Sequence, residues 1–311
     1  MPDDNPLWTL DSVCLGEREH GRLRDVSAVI PRGVTAVLGW SGAGKTSLLN
    51  LLVGFEKCDR GIVAGPGSVF WVPQTLGLWP HCNVQEHLEI VGGNANSALD
   101  RLDHTLAAFD LVERREARPD ALSEGERSRL SVARALMSDA EVLVMDEPLV
   151  HIDPARVGNY WRTIRDHLAH TSASLIFATH EPERVLGEAR HVVCLQRGQV
   201  LYAGAVIPLY SRPETPELMN CLGPGNWLTR DQAELWLDDE AAPFGQCYRP
   251  EQIEIVPAHI SHVVVRSATF RGAVAEVELH HINAAVSHRF FHRPAGPVLQ
   301  PGMPAEIRLK E

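Results

Sequence analysis

Apolar residues in the first two-thirds of the chain come in short unbroken runs, separated by longer stretches with helical spacing. Val34-Thr35-Ala36-Val37-Leu38 predicts a buried strand, and a glycine-rich turn and an apolar helix over about 45–53 follow it. Residues 68–72, 141–145, 173–178 and 191–195 predict four further strands, and 128–137 predicts a helix with Leu130, Ala133, Arg134 and Met137 on one face. Strands that are apolar throughout are buried on both sides. Alternating with helices, they indicate a largely parallel sheet covered on both faces, an α/β architecture.

The pattern changes near residue 212. Arg212-Pro213-Glu214-Thr215-Pro216 and Leu222-Gly223-Pro224-Gly225 read as a linker. Beyond them, strand-like runs at 252–256, 262–268, 273–280 and 305–309 are separated by Gly, Pro and Asn turns, predicting a small OB-like β-barrel. The expected organisation is an α/β domain over 1–212, a linker over 213–225 and a β domain over 226–311.

Composition narrows the function. With 40 acidic and 29 basic residues the net charge is −11, leaving no basic surplus to neutralise nucleic-acid phosphates, so no nucleic-acid partner is expected. Only three lysines occur (Lys45, Lys57 and Lys310), so Lys45 is not drawn from a crowd. Six cysteines without a CxxC pair read as reduced thiols, and neither a secretory signal nor an 18-residue apolar run is seen. Histidines 259, 262, 280, 281, 288 and 292 gather in the second domain, but their spacings follow no ligand rule.

Between the predicted strand and helix lies Gly39-Trp40-Ser41-Gly42-Ala43-Gly44-Lys45-Thr46, which fits the P-loop pattern in the context that makes it credible. Glycines let backbone amides curl around phosphate oxygens without Cβ clashes, and a helix N-terminus adds a favourable dipole. Lys45 brings a cation to the β and γ phosphates, and Thr46 offers a hydroxyl to Mg2+. A nucleotide site also needs a carboxylate for the metal and a group to activate water. The strand over 141–145 delivers Asp146 and Glu147 at its end for those two tasks.

Between these motifs stands Leu122-Ser123-Glu124-Gly125-Glu126, and here the chain resembles the ABC ATPase family, whose signature is L-S-G-G-Q. Gln74 matches the Q-loop glutamine, Val150-His151-Ile152-Asp153 the D-loop, and His180 the switch histidine. The resemblance covers about the first 210 residues. It implies two ATPase subunits paired head to tail, a homodimer with two ATP molecules sandwiched between P-loop and signature segment. It further implies that Ser123 and the Gly125 amide reach the γ-phosphate of the partner's nucleotide. Glu147 would be the general base, Gln74 would contact metal and attacking water, His180 would hold the γ-phosphate, and Ser47 would lie by the α-phosphate.

Several positions depart from the family pattern. Glu124 replaces a glycine, Glu126 replaces the glutamine, and Val150 and His151 replace the small and hydroxyl residues of the D-loop. No aromatic occupies 16–21, where the family stacks adenine; Trp8 lies too early, leaving Arg18 or His20 to cover the base. The segment Leu78-Trp79-Pro80-His81 is similar to the one that faces the membrane subunit in importers, and Arg249-Pro250-Glu251 resembles the TOBE element appended to importer ATPases. The resemblance therefore implies transmembrane permease subunits, an extracytoplasmic solute-binding protein, and a peripheral location on the cytoplasmic face of the inner membrane. The implied cargo is a small solute such as an oxyanion, metal ion or polyamine. A soluble ABC ATPase without a permease is the competing reading; such proteins usually carry two cassettes or a long coiled coil, and this chain has one P-loop.

Overall fold

The computed structural model describes residues 6–16, 21–66, 68–92, 96–239, 244–294, 296 and 299–310. The chain divides into two compact units, 1–206 and 207–311.

The first unit contains, in order, β1 (Trp8–Leu15), β2 (Leu23–Ile30), β3 (Val34–Leu38), α1 (Lys45–Leu52), β4 (Arg60–Ala64), β5 (Phe70–Val72), α2 (Val84–Gly92) and α3 (Asn96–Ala108). It continues with α4 (Glu124–Met137), β6 (Val142–Asp146), α5 (Pro154–Thr171), β7 (Ser174–Thr179), α6 (Pro182–Glu188), β8 (His191–Gln196) and β9 (Gln199–Ala205). The main sheet has the order β5-β6-β7-β3-β8-β9, parallel except for the last strand. β6 and β7 are buried at every position, as their unbroken apolar sequences predict. A second, antiparallel sheet, β2-β1-β4, is not legible as apolar runs because β1 and β2 alternate buried and exposed residues and β4 is mostly exposed. Helix α1 lies in the core that the two sheets share: Leu48, Leu49, Leu51 and Leu52 pack with Trp8, Leu10 and Val26 on one side and Val142, Val144 and Ile176 on the other. Helices α2, α3 and α4 pack against one another as a helical region.

In this unit the predicted strand and helix limits fall within a few residues of those observed. The exception is α4, which starts four residues before the expected 128 because Ser123 caps it: the Ser123 hydroxyl accepts from Glu126 N, and the Glu126 carboxylate accepts from Ser123 N.

The second unit opens with α7 (Val206–Ser211, its first residue in the unit before), α8 (Pro216–Cys221), β10 (Asn226–Leu228), α9 (Arg230–Leu237) and β11 (Gln246–Tyr248). Then come β12 (Ile253–Pro257), β13 (Val263–Phe270), β14 (Ala275–His281), β15 (Val286–His292) and β16 (Ala305–Leu309). All pairings are antiparallel, in the groups β10-β11, β12-β16 and β13-β14-β15, around one core that includes Trp236, Ile253, Val265, Val277, Leu279 and Phe290. The segment 213–225, expected as a linker, lies inside this unit. Thr215 caps α8, and Leu218, Met219 and Leu222 are buried. Of the gathered histidines, His280 bonds Ser287 Oγ at 3.0 Å, His288 packs on Trp236 and Phe290, and His292 is buried.

Candidate nucleotide site

The sheet order explains why motifs far apart in sequence meet. Strands β5, β6, β7 and β3 run parallel and adjacent, so Gln74, Asp146 with Glu147, His180 and the P-loop all emerge at their C-terminal ends. That edge is where open α/β sheets bind ligands. A cleft of about 800 Å³ opens there, lined by Trp40 to Ser47, Gln74, Asp146, Glu147, Val150, His151, His180 and Arg22.

The loop needs its glycines. Gly42 and Gly44 have φ of +78° and +105°, and a Cβ on Gly44 would stand 2.8 Å from the Arg22 carbonyl oxygen. A Cβ on Gly39 would stand 2.6 Å from the Leu195 carbonyl oxygen, so the turn off β3 is packed against the end of β8. Ala43 N is bonded to Trp40 O at 3.0 Å, holding the loop closed. An α-helix leaves its first four N–H groups without intrahelical partners, and the first turn of α1, Lys45 to Ser47, lines the cleft.

The charged groups are tightly placed. Lys45 is nine-tenths buried; its Nζ donates to Gly39 O at 2.8 Å and lies 3.4 Å from Glu147 Oε1. His180 Nδ1 lies 2.9 Å from Glu147 Oε2. The Glu147 carboxylate thus sits between an ammonium and an imidazole, both at the cleft. Glu147, Leu149 and His151 have φ of +51°, +61° and +59°, three left-handed residues at alternate positions directly after β6. Each such residue is disfavoured for a non-glycine, and strain of this kind concentrates at functional sites.

Thr46 Oγ1 donates to Asp146 Oδ2 at 2.6 Å, while Asp146 Oδ1 is buried without a hydrogen-bond partner. Burial pushes the Asp146 carboxyl up, opposed by the Thr46 hydroxyl's donation. A buried carboxylate oxygen with an unused lone pair, next to a hydroxyl, is the donor set a small hard cation requires, and a cation there would reverse the effect of burial. The residues present therefore fit Mg2+.

Ser123 and Gly125 do not line this cleft; they stand at the start of α4. Arg18 and His20, expected over the base, lie outside the described residues. Trp8 is core: it is 1% exposed, and its indole donates to Leu52 O. Trp79 stacks on His87, and the Arg134 guanidinium lies 4.4 Å from its ring centre, so it takes part in the helical region's own packing. Arg22 was missed, because nothing in its sequence neighbourhood marks it. In the fold it faces the cleft and is gripped by Glu56, which is in turn bonded to Asn50. Trp40, a P-loop position to which the motif assigns no role, is 72% exposed and lines the cleft.

The glutamate in place of the signature glutamine has a structural account. Glu126 closes the cap on α4 and accepts from Arg114 Nε at 2.8 Å; the Arg114 bond, aided by the Ser123 donors, lowers its carboxyl to about 2 against burial's opposing pull. A depressed folded-state value means stability that is complete above the unfolded value of 4.5 and lost as pH falls towards 2. Denaturant unfolding of the native chain and Glu126→Gln should therefore differ most near neutral pH. The two should converge as the pH approaches the folded-state value.

Residues 23–150 match the ABC transporter family. Over 279 residues the chain is 32% identical to the Fe(3+) ions import ATP-binding protein FbpC 1 of Rhodococcus jostii, covering 78% of this chain and 79% of that protein. It is 34% identical over 215 residues to the molybdenum import ATP-binding protein ModC of Methylococcus capsulatus, covering 62% of this chain and 59% of the relative. It is 28% identical over 318 residues to the sulfate/thiosulfate import ATP-binding protein CysA of Synechococcus elongatus, covering 93% and 90%. A solved structure described as an ATP binding subunit of an ABC transporter shares the fold, with a TM-score of 0.59 and 22% identity over 65% of this chain and 91% of that one.

Sheet, phosphate loop and cleft together define a P-loop nucleotide hydrolase. Within that class the relatives are more specific: the chain belongs to the ABC transporter family, as an ATP-hydrolysing subunit of the importer type.

Proposed function

We propose that this chain binds Mg2+ and ATP in the cleft described above, and that two copies pair head to tail to power uptake of an inorganic ion through a membrane permease. The observation that carries the reading is the convergence of Lys45, Thr46, Asp146, Glu147 and His180 on one strand edge. Thr46 and Asp146, with Gln74 alongside, would hold the metal, which supplies neutralisation of phosphate charge. The amides from Gly42 to Ser47 and the Lys45 ammonium bind the triphosphate. Glu147 takes the proton from the attacking water, and His180, bonded to that carboxylate, orients it and contacts the γ-phosphate.

Ser123 and Gly125 do not line the chain's own cleft, which is consistent with their serving the cleft of a second copy. The relatives' names, covering ferric iron, molybdenum and sulfate import, favour an inorganic oxyanion or metal ion as cargo, delivered by an extracytoplasmic solute-binding protein. The likeness to import ATP-binding proteins supports a peripheral place on the cytoplasmic face, held by the permease; no helix among the described residues is long and apolar enough to cross a membrane. The second unit, with its Arg249-Pro250-Glu251 element and antiparallel strands, would be a TOBE-like appendage.

Phosphate release by the purified chain, with its permease if needed, should depend on Mg2+ and cease when the metal is chelated. Turnover that persisted in excess chelator would remove Asp146 and Thr46 from the assigned role.

A further inference from the structure

Two positions at which the chain departs from the family pattern meet in the fold. His151 Nδ1 lies 3.8 Å from Glu124 Oε2. The backbones are close as well: a Cβ on Gly125 would stand 2.9 Å from the His151 carbonyl oxygen, so glycine at 125 is what lets the 150–151 loop cross the start of α4. His151 is held in the left-handed region and also lines the nucleotide cleft. The other Glu124 oxygen, Oε1, lies 4.0 Å from Arg127 Nη2, one turn along the helix. The Glu124 carboxylate therefore stands between a guanidinium on its own helix and an imidazole from the loop bordering the cleft.

Both partners of the His151–Glu124 pair are about two-thirds exposed, at 64% and 65%. A side-chain pair so exposed adds little to stability. Its position gives it a different use. Glu124 sits between Ser123 and Gly125, the two residues assigned to the partner copy's triphosphate. An unrestrained carboxylate there would repel the γ-phosphate, and more strongly once closure of two copies excludes water and screening ions. Arg127 restrains the carboxylate only from within α4. His151 adds a restraint from the loop that faces the chain's own nucleotide.

Resting on the head-to-tail reading, we infer that His151 is a positioning residue, drawing the Glu124 carboxylate aside so that the signature segment can receive the triphosphate of the partner copy. Each chain's own cleft is thereby linked, through one side chain, to the surface it offers its partner. The substitution of glutamate into the signature and of histidine into the D-loop is one device.

The test is a double-mutant cycle on the full chain, assembled with its permease where turnover requires it. It compares the native protein, His151→Ala, Glu124→Gly and the double variant. His151→Ala should raise KM for ATP, and the ATP concentration needed for self-association, by about tenfold, with a much smaller change in kcat. Adding Glu124→Gly to His151→Ala should bring both back towards native. An equal loss with and without the glutamate overturns the inference while leaving the dimer intact. If instead the native chain turns over ATP without self-association, the head-to-tail reading falls, and this inference falls with it.

Discussion

Glu147→Gln is expected to lower phosphate release by roughly 10²–10⁴-fold while leaving nucleotide binding in place, so that an ATP-bound dimer accumulates. The amide is nearly isosteric with the carboxylate, and Glu147 is fixed by backbone as much as by side chain: Glu147 N bonds Ala178 O at 3.1 Å. The fold should therefore tolerate the change. What is lost is the proton acceptor flanked by Lys45 at 3.4 Å and His180 at 2.9 Å. Removing that negative charge also frees the Lys45 ammonium for phosphate oxygens, so affinity for ATP should hold or rise. Phosphate release and light scattering on the same preparation check both halves. Unaltered turnover would show that another group activates the water.

The second large effect is expected in the other unit. Arg249 is 1% exposed and uses its guanidinium as a bracket: Nε donates to Tyr210 O at 2.8 Å, Nη1 to Gly223 O and Pro224 O, and Nη2 to Met219 O, each at 3.2 Å. The Tyr210 ring lies 4.2 Å from the guanidinium carbon. One side chain thus ties α7, α8 and the 223–224 turn to the strand region. Arg249→Ala leaves carbonyls buried without donors and should cost about 3–5 kcal/mol. Lysine cannot reproduce a planar fork of donors, so Arg249→Lys should recover little. Chemical denaturation followed by tryptophan fluorescence should show an early transition in both variants. A midpoint unchanged from native would mean that the bracket is dispensable.

The Arg249 case shows what kind of information the sequence carried. Its place in an Arg-Pro-Glu element was visible, and the resemblance drew attention to it, but its work is done by backbone carbonyls that no pattern encodes. The same segment explains why 213–225 read as a linker. Its prolines and glycines are real turn signals, yet Thr215 caps a short helix there and Arg249 collects its carbonyls. In the first unit the strands buried on both sides, β3, β6, β7 and β8, were legible because burial on both faces enforces unbroken apolar runs. β1 and β2 alternate buried and exposed residues over short stretches interrupted by irregular pairing, which blurs the period-two signal.

At the site, residues fixed by chemistry were legible: a glycine demanded by φ, a lysine, a carboxylate at a strand end. Arg22 and Trp40 were not. Their exposure to the cleft depends on which surface the fold turns towards them. The meeting of Glu124 and His151 was equally hidden, since each appeared as a separate departure.

β7 lies between β3 and β6, so the loop that grips phosphate and the carboxylate pair hang from strands that are not bonded to each other. Two strand spacings, about 9–10 Å, separate their roots. That gap is a rigid ruler, set by backbone ladders on either side of β7. Any stroke the molecule performs must come from parts outside the ladder, such as the Gln74 loop and the helical region, while the gauge against which the nucleotide is measured stays the same length throughout.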